Sequence, residues 1–369
     1  METALSLIRL NPKDRMWPLF FELTARIYQD DPHYCRQSVP SLQQSIRRPG
    51  FADNQLPLLV LDKGAPVARM IVRIFNPSGV GSNGTGLFGF FEAVNHPEAV
   101  KLMFDEGRRW LGRQGIKQII GPMDGDTWHK YRLNAGPYIE PPFMMEPYNP
   151  KYYTKLWEDY GFTVLARYVS KQVPDVKKII PGLKKKFDSA CRKGFTFRPF
   201  QKDIFTNELK LLYSLSCNIF SNNYFYSPIS EKEFLSLYAE SKAIINPNLI
   251  WFCRDKHGNY AGFMFCFPDY AAALTKMGGK TDLWAKIKFL IHKNKAEHLN
   301  AKTLGTTAQY RGEGIGAALL YKCYSQGLNL GYSSVNMCLM HEENFSEKMD
   351  KGRGGIFRNY YLYQYAITG

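Results

Sequence analysis

The sequence predicts an α+β protein in which one domain plan, a mixed sheet flanked by helices, is built twice. Three observations carry the prediction. The chain has 369 residues, too long for one ordinary core and suited to two domains of roughly 150–200 residues. Apolar runs of strand length alternate with runs of helical period. The same order of elements (hairpin, strand, helix, strand) occurs in each half, behind an earlier helical segment.

In the first half, residues 16–28 read as the early helix. The runs 58–61 and 67–75 flank the turn Asp62-Lys63-Gly64 and read as a β-hairpin. Residues 87–91 form the next strand. A helix follows over 97–113, with Val100, Leu102, Met103, Trp110 and Leu111 at helical spacing. Gly115 closes it, because glycine takes the left-handed conformation that ends helices. Residues 116–120 return as a strand. In the second half, 204–219 and 230–242 read as early helices. The runs 249–252 and 260–267 flank Asp255-Lys256-His257-Gly258 as a second hairpin. A strand over 302–307, a helix over 315–328, the terminator Gly331 and a strand over 335–340 complete the repeat. Strands and helices mixed in this order imply a partly antiparallel sheet.

The predicted domains are 1–173 and 198–369, joined by a structured connector, 174–197. The connector holds Pro174, Pro181, a short helix over 183–191 and the densest basic cluster: Lys184, Lys185, Lys186, Arg192 and Lys193. Two insertions interrupt the repeat. One, 122–148, is rich in Pro, Met, Tyr and Phe and would suit an apolar chain. The other, 271–300, carries a helix expected over 282–298.

Composition narrows the function. The chain is 45% hydrophobic and 22% charged, as in ordinary globular proteins. Its formal charge of +15 attracts polyanions, including phosphorylated cofactors. No zinc-finger spacing or RNA-binding aromatic signature accompanies that charge, which argues against nucleic acid. The seven cysteines, Cys35, Cys191, Cys217, Cys253, Cys266, Cys323 and Cys338, are scattered, with no CxxC pair. They read as reduced thiols rather than disulfides or metal ligands. No basic n-region with an apolar run opens the chain, and no stretch reaches the ~18 apolar residues of a membrane span. A cytoplasmic location is expected.

The strongest motif is Gln309-Tyr310-Arg311-Gly312-Glu313-Gly314-Ile315-Gly316-Ala317, set between a predicted strand and a predicted helix. Alternating glycines let a ligand approach the backbone closely. The helix start behind them offers unsatisfied N–H groups and partial positive charge, which suits a pyrophosphate. Arg311 adds a charged donor. A Walker loop would need Lys-Ser/Thr after the last glycine, where Ala317 stands, and a dinucleotide fingerprint needs GxGxxG.

This segment resembles the Arg/Gln-x-x-Gly-x-Gly/Ala signature of the GNAT superfamily of acyl-CoA-dependent N-acyltransferases, over roughly residues 196–369. The resemblance implies acetyl-CoA or another acyl-CoA as cosubstrate, with its pyrophosphate on Arg311 to Gly316. It implies that Thr306, Thr307 and Ala308 line the pantetheine and thioester, and that a backbone N–H near Thr306 polarises the acyl carbonyl. Glu343-Asn344 after the following strand fits the family, and Asn344 would also touch the cofactor. Two departures are visible. Ala308 stands where the family often has Pro. Lys351 stands where members often have the tyrosine that protonates the leaving thiolate, and Tyr360, Tyr361, Tyr363 and Tyr365 come later. The first half resembles a second GNAT domain without the glycines, since Asn95-His96-Pro97-Glu98 occupies their place. It keeps Asn149 to Tyr153 and Tyr160-Gly161-Phe162, which look like the family's closing pattern. The whole chain is similar to bacterial tandem-GNAT proteins through Asp30-Asp31-Pro32, Gly89-Phe90-Phe91-Glu92, Gly121-Pro122 and Pro268-Asp269.

The expected reaction is direct transfer of an acyl group from CoA to a small-molecule or peptide amine, with no metal. A carboxylate must take the amine's proton, and the candidates are Asp269, at a strand end, and Glu343, beside Asn344. His292, His298 and His341 show no metal spacing. Two rivals stand beside this reading. One is a non-catalytic acyl-CoA-binding protein. The other is a transferase like the Fem-type ligases or N-myristoyltransferase, for which the net charge would admit a tRNA donor.

Overall fold

The computed structural model describes residues 5–34, 37–47, 54–75, 84–221, 225–280, 282–344, 349–350 and 352–367. Cys35 and Lys351 lie outside them. The chain divides into two compact units. Unit 1 comprises Met1–Arg167, Ala273–Ile291 and Asn359–Gly369; unit 2 comprises Tyr168–Ala272 and His292–Arg358.

In chain order the strands are β1 Leu5–Arg9, β2 Gln55–Asp62, β3 Ala65–Phe75, β4 Thr85–Ala93, β5 Gln118–Gly121, β6 Leu133–Gly136, β7 Thr163–Val173, β8 Thr196–Pro199, β9 Ile250–Arg254, β10 Tyr260–Pro268, β11 His298–Thr306, β12 Ser334–His341 and β13 Gly355–Ala366. The helices are α1 Trp17–Ile27, α2 Val39–Ile46, α3 Pro97–Arg113, α4 Tyr153–Tyr160, α5 Ile180–Arg192, α6 Phe205–Phe220, α7 Glu231–Tyr238, α8 Ala271–Met277, α9 Leu283–His292 and α10 Ile315–Asn329. Among the described residues no helix is long and apolar enough to cross a membrane.

The strands of unit 1 run β1-β2-β3-β4-β5-β13, with β6 also on β13; those of unit 2 run β7-β12-β11-β10-β9-β8. Both units repeat one pattern. A hairpin meets a third strand antiparallel, a helix crosses over, and the next strand returns parallel: β2-β3-β4-α3-β5 and β9-β10-β11-α10-β12. The fold is therefore α+β, with mixed sheets flanked by helices.

The period of two explains the layering of unit 1. Leu58, Val60 and Val72 point at Met103, Phe104 and Leu111 of α3. Their neighbours Leu59, Leu61 and Ile71 point the other way, at Phe20 and Phe21 of α1 and Leu42 and Ile46 of α2. In unit 2, Leu299, Ala301, Val335 and Met337 pack with α10 and with Leu183 and Ala190 of α5. The 174–197 segment is thus part of unit 2's core, helical over α5.

Several boundaries differ from the sequence reading. The helix expected over 282–298 stops at His292, because Lys293 to Lys295 tighten into a 3-10 turn. β11 starts four residues earlier than the expected 302, at His298. Its Asn300 is fully buried, a polar residue that hides a strand from a hydrophobicity pattern.

Candidate functional site

Unit 2 holds the glycine loop. After β11, Ala308–Tyr310 form a 3-10 turn. Gly312 and Gly314 follow at φ +86° and +81°, a region costly for any residue with a Cβ. Gly314 is the N-cap of α10, and no side chain caps that end. No acidic residue sits in the first turn of the helix. A Cβ on Gly312 would meet nothing within 4 Å, and one on Gly314 would meet only Lys186, at 3.6 Å. The loop therefore turns bare backbone toward open space, with the N–H groups of Ile315, Gly316 and Ala317 at its centre and Lys186 alongside. Arg311, Gly312 and Glu313 are exposed.

Long-range bonds hold the loop. The Tyr310 hydroxyl donates to Asp255 Oδ2 at 2.5 Å, and its ring meets Phe195 edge-on at 5.5 Å. Asp255 also accepts from the amides of His257 and Asn259 in the hairpin turn. The Tyr310 hydrogen bond, foremost, and these donors hold its carboxyl well below the usual carboxylate range. Glu313 Oε2 meets Lys193 Nζ at 2.5 Å, which compensates the one acid in the loop. Tyr310 is thus an anchor as well as a loop residue.

The strand before the loop has an open side. β11 and β12 pair only over His298↔Ser334 to Ala301↔Met337. There the β10–β11 register shifts between Phe265 and Cys266, skipping Lys302. β11 continues to Thr306 with β10 on one side alone. Thr307 N donates to Ala261 O at 3.0 Å. By the alternation of an antiparallel ladder, Leu304 and Thr306 then turn their backbone groups toward the gap. Gly262 permits the close β10–β11 approach, since a Cβ there would stand 2.4 Å from Gly305 O, and Gly305 lets α6 lie close to the strand, since a Cβ there would stand 2.7 Å from Ile219 Cγ2.

Unit 1 has the same gap, and its own chain fills it. β4 and β5 pair only at Gly86↔Ile119 and Leu87↔Ile120. Beyond that, Met123 N donates to Phe88 O at 2.9 Å. Phe90 N donates to Asp124 Oδ1 at 2.6 Å, and Ala93 N donates to the Tyr153 hydroxyl at 2.9 Å. Gly89 allows this approach, since a Cβ there would lie 2.3 Å from Met123 O. Where unit 2 has glycines, His96 caps α3 by accepting from Ala99 N at 3.3 Å. The start of the 122–148 segment is thereby tied to β4.

The acid–base candidates fall in different places. Asp269 follows β10 in unit 2. Its Oδ1 accepts from Ala271 N at 3.0 Å and its Oδ2 from Asn336 Nδ2 at 3.2 Å. Asn336 Nδ2 also reaches Asn300 Oδ1 at 3.0 Å. Burial pushes the Asp269 carboxyl above its ordinary pKa, against these hydrogen bonds and the nearby His298 and Arg358. Asn300 and Asn336 are cross-strand partners one step before β11 and β12 part, so the cluster stands at the base of the gap. Glu343 and Asn344 lie elsewhere. They are exposed in the turn after β12, where Asn344 N donates to His341 O. Glu343 lies seven positions after Asn336, beyond the end of β12. The structure brings Asp269 together with two buried asparagines and not with Glu343. Sequence reasoning missed Asn300 and Asn336; the signal was a polar residue between two apolar ones, Leu299 and Ala301 in β11 and Val335 and Met337 in β12.

Among the described residues no group of three or more His, Cys, Asp or Glu could hold a metal ion.

No family model matches the chain. A curated relative, the bacterial ceramide synthase of Caulobacter vibrioides, is 22% identical over 97% of this chain and 92% of its own length. A tandem GNAT protein from the clavulanic acid biosynthesis pathway aligns with a TM-score of 0.51 at 9% identity, covering 99% of both chains. A GCN5-related glucosamine N-acetyltransferase region in a fungal multi-domain β-N-acetylglucosaminidase aligns with a TM-score of 0.53 at 11% identity over 99% of this chain. This chain spans 38% of that fungal protein. At these identities the likeness speaks for architecture, and with the repeated strand–helix–strand pattern it leads to one conclusion: the chain has the fold of tandem GNAT proteins.

Proposed function

We propose that this protein is an acyl-CoA-dependent N-acyltransferase whose donor site lies in unit 2. The observation that carries the proposal is the contrast between the units. In unit 2 a bare glycine loop at an uncapped helix start follows a strand with a free edge. In unit 1 the equivalent edge and helix start are bonded by the chain itself. In this reading the pyrophosphate sits on Arg311 to Gly316, against the N–H groups of Ile315, Gly316 and Ala317. Gln309, Tyr310 and Ala308 shape the turn. The pantetheine pairs with the open edge of β11, toward Thr306 and Thr307, as an added strand would. A backbone N–H on that edge polarises the acyl carbonyl.

Asp269 is the proposed base. The incoming amine must lose a proton as its nitrogen attacks the thioester carbon and the thiolate leaves, and a carboxylate with a raised pKa is matched to that task. Glu343 and Asn344 are assigned to the rim of the cofactor site, since they follow β12 on the same side as the loop. Residues 1–173 are assigned to the degenerate domain, 174–197 to the connector and 198–369 to the cofactor-binding domain. Unit 1 of the structure also includes Ala273–Ile291 and Asn359–Gly369.

The relative named as a ceramide synthase extends the amine panel. A ceramide is an N-acylated long-chain amino alcohol, so such amines belong beside small and peptide amines. The test is CoA thiol release by the full chain, with acetyl-CoA and palmitoyl-CoA, across that panel, for wild type and Gly314→Trp. Amine-dependent release that Gly314→Trp abolishes supports the proposal. Saturable acyl-CoA binding with no release for any amine favours a non-catalytic binding protein.

A further inference from the structure

The proposed donor site makes no use of the 271–300 insertion, whose helix α9 belongs to unit 1 as far as Ile291. This helix turns its apolar side outward. Leu283 is 72% exposed, Trp284 73%, Leu290 52% and Ile291 63%, and Ile287 is half-buried. At about 100° per residue these side chains fall within one arc of about 120°. Ala285 and Phe289, on the opposite side, are buried. Exposed apolar residues are ordinary when single; a contiguous stripe of them marks an interaction surface. The start of the helix is fixed by Asp282, whose Oδ1 accepts from Ala285 N at 2.9 Å and whose carbonyl accepts from Lys286 N at 3.0 Å. Just before it, His33 Nδ1 lies 3.0 Å from Thr275 Oγ1 of α8.

The charges around the stripe indicate what covers it. Lys286 and Lys288 are exposed and lie about 40° beyond its two edges, one on each flank. Between Asp282 and Glu297 the chain has four lysines, these two with Lys293 and Lys295, and no acid. An apolar stripe bordered by cations matches an anionic lipid surface. The apolar side chains enter the acyl boundary, the indole sits at headgroup level, and the lysine stems carry their ammonium groups out to the phosphates. A second copy of this chain would bring further lysines against the first, with no acid on the stripe to pair them. The helix has 10 residues, about 15 Å of rise, half of a hydrocarbon core of about 30 Å. It is suited to lying on a bilayer and too short to span one.

We propose that α9 docks the protein on an anionic membrane surface, with Leu283, Trp284, Ile287, Leu290 and Ile291 facing the acyl chains and Lys286 and Lys288 on lipid phosphates.

The experiment is flotation of the full chain with two sets of vesicles, phosphatidylcholine alone and an equal mixture of phosphatidylcholine and phosphatidylglycerol. Each lysine near an anionic surface contributes about fivefold, so wild type should bind the mixed vesicles about tenfold or more above the neutral ones. Trp284→Ser and Ile291→Ser change exposed side chains, leave the fold intact, and should each weaken binding about tenfold. Lys286→Gln should weaken binding to the mixed vesicles about fivefold and leave neutral vesicles unchanged. Leu237→Ser, at an exposed apolar residue of α7 in unit 2, should bind like wild type. Absence of binding to the mixed vesicles by folded wild type would overturn the proposal, as would equal binding to both sets. Insensitivity to Trp284→Ser, or an equal loss in Leu237→Ser, would also overturn it. So would a lipid-free dimer that Trp284→Ser dissociates, since a second copy would then cover the stripe. None of these outcomes bears on acyl-CoA binding, so the two proposals fail separately.

Discussion

Two glycines of unit 2 separate backbone strain from ligand contact. Gly314 starts α10 at φ +81°, and Gly258 closes the β9–β10 hairpin at φ +85°. Alanine at either position has room: nothing lies within 4 Å of a Cβ on Gly258, and only Lys186 carbons lie within 4 Å of one on Gly314. Each substitution therefore costs conformational strain alone, about 1–2 kcal/mol. Part of this is offset by roughly 0.4–1 kcal/mol from a stiffer unfolded chain. The net loss of about 1 kcal/mol should lower the melting temperature by about 2–4 °C in both variants. Ligand binding should split them. A methyl group at Gly314 stands where a pyrophosphate oxygen would approach the first N–H groups of α10. Losing one charge-assisted hydrogen bond costs about 1.5 kcal/mol, a tenfold weaker Kd, and losing two about a hundredfold. Gly258→Ala should bind acyl-CoA like wild type. Thermal melts and calorimetric titration with palmitoyl-CoA measure both quantities on the same samples. Equal affinity in the two variants, at equal melting temperature, would refute the assignment of the loop.

Three further substitutions have outcomes set by the geometry. Asp269→Asn should lower kcat about 10²–10⁴-fold if the carboxylate takes the amine proton, and the acidic limb of the wild-type kcat/KM profile should lie above the ordinary carboxylate range and vanish in the variant. The same shift fixes a stability sign. A carboxyl whose folded pKa is raised by burial contributes stability below its unfolded pKa and loses it as pH rises through the folded value, so that part of the pH dependence should disappear from Asp269→Asn melts. In unit 2, Arg198 grips Glu208 through two bonds of 2.8 and 2.9 Å, with Glu208 3% exposed; Glu208→Ala should cost about 3 kcal/mol in urea unfolding without changing acyl-CoA affinity. Asp124→Ala frees the Phe90 amide in unit 1 and should cost about 1–3 kcal/mol while leaving acyl-CoA stoichiometry at one per chain.

The glycine loop was legible because its chemistry is local. Glycine alone takes φ +86° and +81° at a helix start without strain, so spacing alone marks the place. The repeated hairpins and the two crossover helices were legible for the same reason, from periodicity and terminal glycines. What was not legible depends on partners distant in sequence. Tyr310 bonds to Asp255 in a hairpin 55 residues away, and Asp124 fills a strand gap opened 34 residues earlier. The start of β11 was hidden because Asn300 is buried against Asn336 and so breaks the apolar pattern. Asp269 and Glu343 read alike in sequence, each an acid at a strand end. Burial separates them, since one lies among buried amides and the other in an exposed turn.

In the proposed function, acyl-CoA lies on the glycine loop and open β11 edge of unit 2, and not on the matching edge of unit 1. Hydrogen–deuterium exchange of the full chain, with and without saturating palmitoyl-CoA, tests it directly. New protection is expected over residues 304–317, greatest at the amides of Ile315, Gly316 and Ala317, with β4 unchanged. Protection confined to β4 and residues 96–99, or no change in either unit at a saturating ligand concentration, would contradict it.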